Sequence, residues 1–157
     1  MTYLDLSYDG ISSLPIGLPG ALPNIGNGGL GLDGNKLCPL SMESTVLDFA
    51  NFANVRWQYW RYSQDMRSCP AFELNSGNIG QAPFNCTPNS DYCDLSYYGI
   101  TSIAPDTFSG LVGVYEVDLY NNQLTTIGAN TFNGLDDLNY LDLSTNNIIS
   151  LASNAFN

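Results

Sequence analysis

The chain of 157 residues contains no histidine and a single lysine, and charged residues make up only 12% of it, about half the usual share. Without histidine, Ser-His-Asp and Cys-His pairs, His-containing zinc sites and the HExxH metalloprotease motif are all unavailable. Nor does the chain hold a run near the ~18 apolar residues of a membrane helix, and the first thirty residues lack the basic start and compact apolar stretch of a secretion signal. No membrane span and no leader are therefore expected within this sequence.

Acidic side chains number 15 against 4 basic ones, for a formal charge of −11, and asparagine occurs 18 times. A surface of amides, hydroxyls and carboxylates without a basic cluster repels phosphate backbones and anionic membranes, so nucleic-acid binding is not expected. The cysteines form an even set, Cys38, Cys69, Cys86 and Cys93, and Asn85-Cys86-Thr87 is an acceptor for N-linked glycan. Together these features favour an extracellular location, with glycan expected at Asn85. The length suffices for one domain.

Shifting the C-terminal third by 24 residues against itself aligns Leu95, Leu119 and Leu143, then Ile100, Leu124 and Ile148, then Ile103, Ile127 and Leu151, then Phe108, Phe132 and Phe156. Such a period is the mark of a repeat. Val117-Asp118-Leu119 and Leu141-Asp142-Leu143 alternate as strands, with two apolar side chains on one face and an aspartate on the other. Asn122 and Asn146 follow. Toward the N-terminus Leu4, Leu6, Asp9, Ile11 and Leu14, then Leu30, Leu32, Asn35 and Leu37, fit the same template at a spacing of 26.

The pattern L-x-L-x-x-N-x-L, with Phe-Ser-Gly-Leu at 108–111 and Phe-Asn-Gly-Leu at 132–135, resembles extracellular leucine-rich repeat proteins. The resemblance implies an α/β-type repeat solenoid, with short parallel strands on a concave face, irregular or short helical return segments, and stacked Phe108, Phe132 and Phe156. It implies repeats one and two in residues 1–37, a cap-like cysteine-containing insert in 38–92, and repeats three to five in 93–157. Asp9 and Tyr98 stand where the family has asparagine. Asp9 cannot donate and Tyr98 is too large for a narrow turn, so repeats one and three are expected to be locally irregular.

Within the insert, Asn35-Lys36-Leu37-Cys38-Pro39 resembles the passage from a repeat array into a C-terminal cap, and Cys86 and Cys93 resemble an opening cap. This favours Cys38–Cys69 and Cys86–Cys93 bonds, one of three possible connectivities. Ser44 can cap a helix carrying Val46, Phe49, Ala50 and Ala53 on one face. All four cations, Lys36, Arg56, Arg61 and Arg67, fall within 32 residues. They can pair with Glu43, Asp48 and Asp65, or else Arg56, Trp57, Tyr59, Trp60 and Arg61 form an aromatic and basic contact patch.

Other constellations carry less. Gly26–Gly31 fits GxGxxG but opens no helix, and the column Asp5, Asp94, Asp118 and Asp142 reads as solvated strand wording rather than as a metal site or paired acids. No metal, cofactor or enzymatic activity is expected. The resemblance implies binding through the concave face, where Asp5, Ser7, Asp94, Ser96, Asp118, Tyr120, Asp142 and Ser144 project, with a protein or glycan as partner. An alternative role is structural: a glycosylated extracellular filament or matrix of copies joined head to tail through solenoid ends that the sequence leaves uncapped.

Overall fold

A computed structural model describes residues 4–11, 30–31, 34–36, 38, 67, 69–81, 84 and 86–156. Instead of one domain, the chain forms two compact units, Met1–Pro70 and Ala71–Asn157. The boundary between them falls inside the cysteine-containing segment. The expected helix from Ser44 and the aromatic patch lie outside the described residues.

In the N-terminal unit, β1 (Leu4–Asp5) pairs in parallel with β2 (Leu30–Gly31), Leu4 opposite Leu30, which is the spacing of 26 seen in the sequence. Asn35 is buried beyond the strands, donating to the Leu6 carbonyl at 2.7 Å and accepting from the Ile11 N–H at 2.9 Å. Cys38 is bonded to Cys69. Tyr8 lays its ring over Gly34, where a Cβ would stand 2.2 Å from the ring. With φ at +64°, Gly34 is fixed by both space and backbone.

The C-terminal unit contains β3 (Glu73–Leu74), β4 (Tyr92–Asp94), β5 (Ser102–Ile103), β6 (Glu116–Asp118), β7 (Thr126–Ile127), β8 (Tyr140–Asp142) and β9 (Ser150–Leu151). All pairings are parallel: β4–β6–β8 form one sheet, while β3–β5 and β7–β9 form two-stranded ladders. The 24-residue period is the register, with Cys93 opposite Val117 and Val117 opposite Leu141. Apolar residues at each repeated position meet inside, where Leu95, Leu119, Ile100, Leu124 and Val117 are fully buried. Each such side chain contributes roughly 1.5–3 kcal/mol through water exclusion. Phe108, Phe132 and Phe156 stack as the period requires, with ring centroids 5.6 and 5.1 Å apart.

Of the two forms expected for the return segments, irregular and short helical, the irregular one is found. Among the described residues they hold turns and two-residue strands, and no α-helix. Asp106 and Asn130 have φ near +56°, and Gly110 and Gly134 near +88°, so left-handed residues recur four apart and interrupt any right-handed turn. Thr107 and Thr131 fasten these turns by donating to the carbonyls of Ala104 and Gly128.

Strands of two or three residues make few ladder bonds, and buried asparagines supply the rest. Asn122 accepts from the N–H groups of Tyr98 and Ile100 at 3.1 and 3.0 Å, and donates to the carbonyls of Leu95 and Leu119 at 2.8 and 3.0 Å. Asn146 repeats the arrangement one unit on, with Leu124, Leu119 and Leu143. Each asparagine thus satisfies the turn of the repeat before it. That explains how Asp9 and Tyr98 are tolerated, since Asn35 and Asn122 fill the turns of repeats one and three from the following repeat. Contrary to expectation, Tyr98 is buried, edge-on to Phe84 at 4.9 Å. Irregularity does occur beside both departures: all described repeats have a left-handed residue at Tyr8, Gly34, Tyr97, Asn121 or Thr145, but repeats one and three add a second at Gly10 and Gly99.

Residues 71–91 extend the first ladder of this unit. Phe72 and Thr101 exchange backbone and hydroxyl hydrogen bonds at 2.9 Å, Asn78 ties Asn75 to Glu73, and Cys86 is bonded to Cys93 at the start of the sheet.

Replacing Asn122 with alanine strands four buried backbone groups, and should lower stability by about 3 kcal/mol in urea unfolding. Asn122→Asp, which keeps the acceptor alone, should cost about 2 kcal/mol. The exposed Asn139→Ala should cost less than about 0.5 kcal/mol.

Candidate functional site

Successive strand residues point to opposite faces, so the residues flanking the buried Cys93 and Val117 and the half-buried Leu141 share the other side of the β4–β6–β8 sheet. Two rows in register cross it: Tyr92, Glu116 and Tyr140, then Asp94, Asp118 and Asp142. Neighbouring strands lie about 4.8 Å apart. Tyr92 and Tyr140 remain 48% and 54% exposed, large values for aromatic side chains on a sheet.

The aspartates are less freely solvated than the sequence suggests. Each turns its Oδ1 back on the strand end, accepting from the N–H two residues on: Ser96 to Asp94 at 3.1 Å, Tyr120 to Asp118 at 2.8 Å, Ser144 to Asp142 at 2.8 Å. The hydroxyls of Ser96 and Ser144 donate to the same oxygens. Short local bonds of this kind hold a side chain in one orientation. They leave the second oxygen of each carboxylate to other contacts, and on Asp118 it accepts from the Tyr92 hydroxyl at 3.2 Å. Tyr97 and Tyr120 pack their rings 5.2 Å apart beside the rows.

Crowding carboxylates among phenols shifts protons. Partial burial, followed by the charges of Asp94 and Asp118, pushes the Tyr92 hydroxyl well above its usual range. The charge of Asp142 is the chief cause of a rise at Tyr140. The hydroxyl and N–H of Ser144 hold Asp142 below the usual carboxylate range. Residues 71–157 contain nine acidic side chains and no lysine, arginine or histidine.

Of the residues singled out by sequence, Asp94, Asp118 and Asp142 are brought together on one face, with Tyr120 and Ser144 at its margin. Ser96 departs from expectation: it is buried rather than projecting, whereas Ser144, with the same bonds to its own aspartate, is exposed. Asp5 and Ser7 belong to the N-terminal unit, where the Ser7 N–H repeats the turn onto Asp5 at 2.9 Å. Arg56, Trp57, Tyr59, Trp60, Arg61 and Asn85 lie outside the described residues, although Thr87 of the glycan acceptor is exposed beside Ser90. Cys38, Cys69, Cys86 and Cys93 are all in disulfides.

Sequence reasoning missed Tyr92, Glu116 and Tyr140. The signal was present: a strand that shows Asp118 outward also shows the residue two places before it. Among the described residues no cluster of three or more His, Cys, Asp or Glu side chains could hold a metal, and no helix is long and apolar enough to cross a membrane.

Residues 93–148, from β4 to the start of the fifth repeat's return segment, match the family model described as leucine rich repeat. This match and the parallel ladders support a leucine-rich repeat protein. Domains of this kind are commonly protein-binding modules and generally not enzymes. No curated protein matches the chain. The two disulfides suggest an extracellular or secreted location.

The phenol shifts set an alkaline limit. A folded-state pKa raised above the unfolded value of about 10 leaves the stabilisation intact below that pH and removes it as pH rises further. Tyrosinate absorbance should therefore show a late-titrating fraction in the folded chain, with stability falling above about pH 10. Asp118→Asn should move the last phenol downward, whereas Asp136→Asn should leave it in place.

Proposed function

We propose that the protein is an extracellular, non-enzymatic binding module that recognises a protein or glycan partner through the concave, outward face of its leucine-rich repeat sheet. The observation that carries this reading is the pair of outward rows, Tyr92–Glu116–Tyr140 and Asp94–Asp118–Asp142, held in register over the buried Cys93 and Val117 and the half-buried Leu141. Aromatic rings at fixed positions provide contact area at little entropic cost, and a row of like charges favours a partner of opposite sign. Tyr120 and Ser144 extend this polar surface, and Asp5 and Ser7 contribute to binding on the N-terminal unit. The segment 38–92 separates repeats 1–37 from repeats 93–157, glycan stands on Asn85, and Arg56, Trp57, Tyr59, Trp60 and Arg61 supply a separate patch. No cofactor takes part.

A second reading is favoured by one observation. The fifth repeat exposes what earlier repeats bury: Leu151 is 57% accessible and Phe156 55%, against 2% for Ile127 and 5% for Phe132. A further repeat, from the same chain or from another copy joined head to tail, would cover them, and repeated joining gives a filament or matrix.

Screening the full chain on peptide and glycan arrays, then timing association of each hit, separates the readings. Asp118→Asn with Asp142→Asn should slow binding several-fold at low salt while leaving unfolding little changed. Hits indifferent to both charge and salt would move the interface away from this face. Elongating oligomers in sedimentation would favour the structural reading.

A further inference from the structure

Asparagine followed by glycine occurs twice in the chain, at Asn27-Gly28 and at Asn133-Gly134, and the first pair lies outside the described residues. The second sits in the return segment of the fourth repeat. Asn133 is exposed, and Gly134 takes a left-handed φ of +89°. Among the described residues the Gly134 N–H has no hydrogen-bond partner. The bonds on either side of it are long, from the Asn133 N–H to the Asn130 carbonyl at 3.3 Å and from the Leu135 N–H to the Phe132 carbonyl at 3.4 Å, so the turn holds this stretch weakly. The Asn133 side chain reaches the preceding return segment, where its Nδ2 donates to Oδ1 of Asp106 at 2.9 Å.

We infer that Asn133 is a site of spontaneous deamidation, that the Asp106 carboxylate restrains the reaction, and that conversion turns a bond between two repeats into a like-charge contact.

The chemistry needs only water and a base. The Gly134 nitrogen gives up its proton and attacks Cγ of Asn133; the new N–Cγ bond forms, the Cγ–Nδ2 bond breaks, and Nδ2 leaves as ammonia with a proton from water. Water then opens the cyclic imide at either carbonyl, giving aspartate or isoaspartate. Glycine favours the attack because no side chain obstructs its nitrogen and its backbone adapts most freely to the ring. The third repeat lacks the reaction, since Ser109 stands where the fourth has Asn133. Asp106 opposes it in two ways. Its bond to Nδ2 must break before ammonia departs, and its charge disfavours the negative charge that builds on the Asn133 side-chain oxygen during attack.

Both products place a carboxylate where a donor to Asp106 stood. Isoaspartate also adds a carbon to the main chain next to Gly134, where space is short: a Cβ there would meet the Ser109 Cα at 2.9 Å and the Phe108 carbonyl oxygen at 3.3 Å. Conversion therefore loosens the packing of the fourth return segment on the third.

Timed peptide mapping of the full chain at mildly alkaline pH, with the aspartate and isoaspartate forms resolved by chromatography, tests the inference. Asn133 should convert ahead of Asn139 and Asn147, which are equally exposed but precede tyrosine and isoleucine. Asp106→Gly, which keeps the left-handed turn, should speed conversion at Asn133 about 5-fold and leave the other two asparagines unchanged. Asp106→Asn, which introduces the residue found at the equivalent position 130, should give a smaller rise, because it retains an acceptor without the charge. Conversion at Asn133 no faster than at Asn139 would overturn the site. Equal rates in the wild-type chain and Asp106→Gly, or a rise shared by all three asparagines, would overturn the restraint by Asp106. Asn133→Asp, which reproduces one product, should lower the urea midpoint of the wild-type chain and leave that of Asp106→Gly nearly unchanged; an equal drop in both would overturn the like-charge contact.

Discussion

One side-chain amide in each inner turn governs the architecture. Asn122 has two donors and one acceptor oxygen, and the protein engages all of them with backbone groups of two successive repeats. The carboxamide replaces the hydrogen bonds that a three-residue strand cannot make, in a place water does not reach. Removing it exposes no large apolar area, yet it leaves four backbone groups in the core without their partner, at a combined cost of about 3 kcal/mol. The leucines and phenylalanines provide most of the gross stabilisation; the asparagines determine the spacing at which that packing is available.

That spacing creates the candidate face. Because Asn146 and Asn122 hold β8 and β6 in the same register as β4, residues 24 apart in sequence become neighbours across the sheet. Repetition of Asp at one position then produces a row of charge, and the variation Tyr, Glu, Tyr at another produces a mixed row. The buried side of the strand is nearly invariant in chemistry, whereas the exposed side is free to differ from repeat to repeat. Recognition can therefore be written on one face without disturbing the packing of the other.

Much of this was legible in the chain itself. The period, the strands and the stacked phenylalanines follow from apolar residues recurring at fixed intervals, and Asp118 and Asp142 follow from alternation. Two matters were not legible. The role of the asparagine at one position is to serve the preceding repeat, so Asp9 and Tyr98 looked like defects in their own turns although the bonds come from Asn35 and Asn122. The return segments looked compatible with short helices, because sequence did not reveal that Asp106 and Asn130 take left-handed backbone conformations. Ser96 and Ser144 carry the same side chain at equivalent positions, but neighbouring structure buries one and exposes the other.

Amide hydrogen exchange reads the asparagine ladder directly. The N–H groups of Ile100 and Leu124 both donate to an asparagine oxygen of the following repeat. The account predicts that both exchange only through opening of the stack, with protection approaching that of global unfolding, and that Asn122→Ala speeds exchange at Ile100 far more than at Leu124. Fast exchange at both positions in the wild-type chain, or an equal effect of Asn122→Ala on the two, would contradict the claim that these amides hold the repeats, and with them the recognition face, in register.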